Sequence, residues 1–357
     1  MANVRDVNEQ PDVFNPITPV YDIQKKATPD RVKESGYYGL PILKPPFWKG
    51  EIALYFLFEG VSGGSYVLCT MAELMAKDRF RQSIQRGRYV SFVTMLVCPP
   101  LLIADLGRPE RFHHMLRIFK KTSPMNHGAW ALTGFGVFAS FLALLEWPAS
   151  KLPFGRAFLG FLQRYIPERL MGVLGLPFAL TMVSYPGVLL ATTAVPLWAH
   201  SHFLGPLFAC SSMSAASAAL TLCNYTSEDH AVHKTLSRFE DAATGAEAAA
   251  LGLYLGTARK AAKPLFKGSQ SKLFLFGAIG VGLVVPTLLR RSRSKLIRSG
   301  IAPLLTFLGS AALKWSITHA GQESTLDPEL ANQNAPTKSG KPFWGPKDAV
   351  SVPLPPS

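Results

Sequence analysis

The chain has 357 residues, 48% of them hydrophobic and 17% charged, and its 37 Lys and Arg against 23 Asp and Glu give a formal net charge of +14. That length would permit two or three soluble domains, but apolar runs of membrane-spanning length recur along it, separated by short basic stretches, which excludes an ordinary soluble globule. The positive balance does not point to nucleic acid: the cations flank apolar runs at 77–88, 259–272 and 290–298 and do not interleave with aromatics, as suits topology signals and anionic headgroups.

In chain order, residues 1–47 form a polar extension carrying Pro16, Pro19, Pro29, Pro45 and Pro46, expected to be extended and able to lie across a partner. It shows no apolar signal-type stretch, so the first span is expected to serve as its own insertion signal. Apolar runs then fall near 51–74, 89–104, 128–146, 170–193, 204–223, 239–256, 273–289 and 301–318. Each is close to the ~20 residues that cross a bilayer. The expectation is an all-α polytopic membrane protein of about eight transmembrane helices in two four-helix bundles, 48–203 and 204–320, followed by a polar, proline-rich tail over 321–357. Small residues cluster in the first span (Gly60, Ser62, Gly63, Gly64, Ser65) and in the fifth ("SSMSAASAAL"), where they would let helix backbones approach closely. Cys98-Pro99-Pro100 and Tyr185-Pro186-Gly187 are expected to kink or unwind the second and fourth spans and to border a pocket.

Ionisable groups at membrane depth are costly and therefore functional candidates. Glu59 lies about two turns into the first span, on one face with Glu51 and Tyr55, and Glu247 lies near the centre of the sixth. Both read as proton-transfer groups or as structural pairs, with Lys314 as a partner. Glu240 and Asp241 read either as relay acids or as residues at a helix start, where the dipole favours them. The eight histidines all fall in loops or near span ends, so facing axial ligands for a transmembrane haem are not expected. Cys69, Cys98, Cys210 and Cys223 form no CxxC pair, so no iron–sulfur cluster is expected in this chain. If the protein handles electrons, donor and acceptor must then meet on one face.

The stretch "ADLGRPERFHHMLRIFKKTSPMNHGAW", residues 104–130, concentrates basic charge between two apolar spans. Asp105 ends the second span. Arg108 and Arg111 flank Pro109-Glu110 and could bridge Asp105, Glu110 and carboxylates of lipid or partner. Residues 112–119 could form a short amphipathic surface helix. Ser123-Pro124 opens the third span, which places His127 in its first turn, as a proton-exchanging residue near neutral pH or an interfacial one.

"DLGRPERF…SPMNHGAW" resembles the signature of the NrfD/PsrC-like integral membrane subunits of polysulfide reductase and related oxidoreductases, through residues 105–109 and Ser123, Met125, Gly128 and Trp130. "EGVSGGSYVL", "SYPGVLLATTAVPLW" and "ALKWSITHAGQES" add matches in order along the membrane portion. The resemblance implies a bundle of about eight helices without its own haem and a quinone site near the face where an iron–sulfur subunit docks. On its pattern, Glu51, Tyr55 and Tyr185 would contact the quinone. The chain departs from it where some relatives place a histidine, at Tyr55, and where they place Arg-Tyr, at Lys314-Trp315.

Taken together, the expectation is a quinone- or quinol-reactive anchor of a respiratory oxidoreductase in a bacterial cytoplasmic membrane, not catalytic alone. Menaquinone or ubiquinone would be held by Glu51, Tyr55, Asp105, His127, Trp130 and Tyr185. Glu59, His127, Asp241 and Glu247 would move protons, and Arg108 and Arg111 would be structural. An iron–sulfur (ferredoxin-like) subunit would be the partner, with a molybdopterin or multihaem catalytic subunit beyond it. The rival reading is a transporter-like, ion- or proton-translocating subunit without redox chemistry of its own.

Overall fold

The computed structural model describes residues 43–148, 156–227, 229–327 and 330. Most of the expected N-terminal extension, the 149–155 connection and nearly all of the C-terminal tail lie outside these residues. Among those described, every regular element is helical, as an all-α polytopic membrane protein requires. In chain order the helices are α1 (Gly50–Asp105), α2 (His114–Arg117), α3 (Pro124–Leu145), α4 (Arg156–Tyr165), α5 (Glu168–Ala191), α6 (Pro196–Ala199), α7 (Leu204–Cys223), α8 (His230–Ala258), α9 (Lys263–Lys267), α10 (Val285–Leu289) and α11 (Ala302–Ser324). Leu273–Val284, leading into α10, and Ile297–Ile301, leading into α11, are wound as π-helix.

Five helical segments are long and apolar enough to cross a membrane: α1, α3, α5, α7 and Ile297–Ser324, with Leu273–Leu289 a shorter apolar helix. The first of the five is two predicted spans in one. At 56 residues α1 would be about 84 Å long if straight, but Ala76 leaves the helical region (φ −159°, ψ 57°) and the chain doubles back there. Ser62 Oγ donates to Ser91 O at 2.5 Å and Ser91 Oγ to Ser62 O at 2.9 Å, zipping the two arms together. The stretch 77–88, expected as a loop, is therefore helix. Its charges alternate with polar residues that face other helices, a pattern that looks like a loop only when burial is unknown.

The two proline-bearing segments border a cavity as expected, through Pro99 and Tyr185, but do not unwind their helices. Pro99 and Pro100 lie inside α1, and Pro177 and Pro186 inside α5, without unwinding either helix. Each deletes one backbone donor, yet the torsions stay helical. The sixth predicted span also begins earlier than the apolar run suggested. α8 starts at His230, capped by Asp229 through its bond from Ala231 N (2.8 Å), so Glu240 and Asp241 sit about three turns inside the helix and not at its start.

Helix α7 is the hinge of the packing, touching α1, α5, α8 and α11. Its small residues make this possible: Gly60 of α1 lies on Ser212, and Gly64 on Ala216 and Ser212, leaving no room for a Cβ at either glycine. Gly282 and Gly309 allow the same backbone contact between the π-helix and α11. At the end where α1 begins, Trp48 stacks on Trp198 (5.3 Å), and Trp198 Nε1 donates to Ile317 O at 2.8 Å.

Candidate functional site

The two arms of α1, with α3 and α5, line a cavity of about 350 Å³ beneath the 106–123 connection. Its walls are apolar, with Phe56, Met95 and Leu132 prominent, and Phe112, Met115 and Leu116 of the connection roof it. Three predicted residues converge on it: Tyr55, Asp105 and Tyr185. Tyr55 is 2% exposed. Tyr185 donates to Pro124 O at 3.0 Å, and Gly128 on α3 lies flush against its ring, where any side chain would displace it. Asp105 Oδ1 is buried without a hydrogen-bond partner.

Glu51, His127 and Trp130 are not among the lining residues. Helical phase accounts for His127 and Trp130. On α3 the cavity face is Gly128, Ala129, Leu132, Thr133 and Gly136, and at 100° per residue His127 and Trp130 fall on other faces. His127 is exposed and packs on Phe119 (5.4 Å), as does Trp130 (6.2 Å). Glu51 sits in the first turn of α1, a neighbour of Asp105 at the cavity's edge. Arg108 and Arg111 bracket an exposed 3₁₀ turn, Pro109–Arg111, joined by Arg111 N–H to Arg108 O (3.1 Å). Instead of one surface helix over 112–119, the structure has only the four-residue α2.

Behind the cavity, one turn past Tyr55, lies Glu59. It is 1% exposed, and both its carboxylate oxygens are buried without a hydrogen-bond partner. It faces Tyr55 on one side and Lys314 of α11 on the other. Lys314, fully buried, donates to Ser310 Oγ at 2.9 Å, and Ser310 and Ser211 share a 2.8 Å hydroxyl contact. Ser211 and Ser214 face Glu247 of α8, which also feels the Lys314 charge. Ser214 meets Thr244 at 3.4 Å, and Thr244 accepts from Arg290 Nη2 at 3.2 Å. Arg290 holds Glu240 (2.9 Å) and Asp241 (2.7 Å), and the Asp241 side chain is 55% exposed at the end of the molecule opposite the cavity. Glu59, Glu247 and Asp241, three of the four predicted proton-transfer residues, thus lie on one line of polar groups; His127 does not.

Sequence reasoning missed a second charged cluster. Arg88 of α1, 2% exposed, pairs with both Glu73 and Glu146 and lies 3.5 Å from Glu168. Lys77 holds Glu168 at 2.9 Å, and Arg81 holds Glu146 at 2.8 Å and Glu168 at 3.2 Å. The i, i+4 spacing of Glu73, Lys77 and Arg81 was a visible signal of helix. Arg88 was invisible because two of its three partners come from the end of α3 and the start of α5, and the third from across the turn at Ala76.

Short stretches of the chain resemble two proteins of reductase complexes. One is a subunit of the selenate reductase of Mesobacillus selenatarsenatis, 32% identical over 69 residues, 19% of this chain and 16% of the relative. The other is a "Putative dimethyl sulfoxide reductase membrane subunit" of Halobacterium salinarum, 29% identical over 100 residues, 28% of this chain and 22% of the relative. The chain therefore matches less than a quarter of either relative's length. The family described as "Polysulphide reductase, NrfD" matches residues 43–324, nearly all of the helical portion, and the chain belongs to that NrfD family.

Proposed function

We propose that this protein is the quinone-reactive membrane subunit of a multi-subunit oxidoreductase, exchanging electrons with an iron–sulfur subunit docked over the 106–123 connection. The observation that carries this reading is the cavity: apolar walls, with two tyrosine hydroxyls and a carboxylate oxygen lacking any partner gathered at one place. An amphiphilic ring with exocyclic oxygens fits that arrangement, because apolar walls hold its ring and tail while few polar groups fix its orientation. The names of the two relatives, which place them in selenate and dimethyl sulfoxide reductases, support the same assignment. A molybdopterin or multihaem catalytic subunit would complete the assembly.

A quinone bound here supplies coupled electron and proton exchange. Tyr55 is placed to bind one of its oxygens, Tyr185, whose own proton goes to Pro124 O, to accept from a quinol hydroxyl, and Asp105 to hold a proton beside them. Glu59, sealed from water behind Tyr55, is placed to accept or return a proton on the inner side of the cavity. From Glu59 the line through Lys314, Ser310, Ser211, Glu247, Thr244 and Arg290 leads to Asp241, so these residues form the proposed proton route toward the opposite face. That route is also what favours the rival ion-translocating reading, and the two separate on one measurement. In membranes containing the intact complex, Asp105→Asn and Tyr55→Phe are expected to lower quinol oxidation at least tenfold while leaving assembly intact. Unchanged quinol turnover in both would remove the cavity from the reaction.

A further inference from the structure

The connection that roofs the cavity is fastened by the amide of one side chain, beside the packing of its Phe119 on His127 and Trp130. Asn126, in the first turn of α3, donates through Nδ2 to Met115 O (2.9 Å) and Ile118 O (3.0 Å), and its Oδ1 accepts from Lys120 N (2.7 Å). Its own N–H points back to the helix-capping Ser123 Oγ (3.4 Å). The amide is thereby fully specified. Two donors meet two carbonyls, one acceptor meets an N–H, and the flipped amide would set oxygen against both carbonyls. The bonded carbonyls and N–H belong to the residues that carry Met115 and Leu116 over the cavity, with Phe112 just before them. Most of the connection is otherwise exposed, and beyond the 3₁₀ turn Pro109–Arg111 and the four-residue α2 it has no regular structure. The neighbouring side chains of that turn make apolar or ring contacts instead: His127 packs on Phe119, and Met125 lines the cavity.

We infer that Asn126 is a positioning residue for the occupant of the cavity. By fastening the strap at Met115, Ile118 and Lys120 it sets how closely Phe112, Met115 and Leu116 close over the ring, and so sets which ring widths the cavity admits. The inference about what is positioned rests on the quinone reading. The fastening itself does not.

The test uses two variants, with quinol turnover read in the intact complex in membranes and the strap read in the full chain alone. Asn126→Asp keeps the acceptor for Lys120 N–H but places a second oxygen against the Met115 and Ile118 carbonyls. Met115→Ala leaves every Asn126 bond in place, because those bonds are to backbone, and shortens the roof. Trypsin cleavage after the exposed Arg117, Lys120 and Lys121, measured without quinol on the full chain in membranes that lack the docked subunit, reports the strap. Loss of two hydrogen bonds is expected to speed cleavage about five- to tenfold in Asn126→Asp and not at all in Met115→Ala. With a short-tailed quinol as substrate, KM is expected to rise about fivefold in both variants with kcat changed less than twofold. The double variant is expected to show no more than the larger single effect. Cleavage of Asn126→Asp at the wild-type rate overturns the latch. Faster cleavage with an unchanged KM overturns its positioning role, reducing Asn126 to a local structural residue. A wild-type complex that turns over no quinol sinks the quinone reading separately, and the cleavage comparison still decides the latch.

Discussion

Two buried arginines sit at the same end of the molecule, one in each half, and they are held in different ways. Arg88 draws its carboxylates from separate places: Glu73 from its own hairpin, Glu146 from the end of α3 and Glu168 from the start of α5. Arg290 draws both of its acids from one turn of α8 and fills its remaining donors with the hydroxyls of Thr244, Thr287 and Thr306. Above Arg88 the core closes: Tyr66 packs edge-on against Phe135, and its hydroxyl is spent on Met171 O (2.9 Å). Above Arg290 the hydroxyl line continues to Glu247 and Lys314. The same charge arrangement therefore ties three elements together in the first half and terminates a polar path in the second.

The largest effect that would break this comparison is at Arg88. Arg88→Met leaves Glu73 and Glu146 buried without their main cation, and a loss of about 3–5 kcal/mol is expected, read as a lowered unfolding midpoint of the purified protein. A variant as stable as the wild type would show that the first-half cluster ties nothing together. Arg290→Gln should cost less, about 1–3 kcal/mol, because Glu240 keeps the Thr306 and Thr221 hydroxyls (3.1 and 3.5 Å) and Asp241 already meets solvent. Its proton-coupled turnover should fall further than its stability, and the reverse order would make it a second clamp. Glu59→Gln sharpens the contrast where the halves meet. Neutralising this fully buried carboxylate, at the cost of its attraction to Lys314, should leave stability within about 1 kcal/mol of wild type, while quinol oxidation falls at least about tenfold. The smallest stability change is expected for Asp241→Asn, within about 0.5 kcal/mol, checked by the same unfolding measurement. A large loss there would mean that its exposed carboxylate carries packing.

The apolar runs located the helices well because span length is set by the bilayer and is written in local composition. What lay outside a local window was missed. The turn at Ala76 hides within a helical stretch whose charges resemble a loop, and the burial of Arg88 depends on acids 15 to 80 residues away. In the candidate site, Tyr55, Asp105 and Tyr185 were legible because motif position and helical face agreed. His127 and Trp130 belong to the same motif but to the wrong side of α3, and a motif carries no phase until the helix start is known. Asn126 was passed over because its work is done on backbone atoms, which no residue-type pattern advertises.

The seam between α1 and α7 has a mechanical consequence. With Gly60 and Gly64 seated directly on Ser212 and Ala216, α1 meets the small side chains of α7 with no room to spare, and a rocking motion between them would have to prise apart a close-packed joint. Rigid-body alternation, the working stroke of a carrier, is mechanically disfavoured by such a joint. On the proposed reading, a guest would enter at the rim, past the short strap that Asn126 fastens.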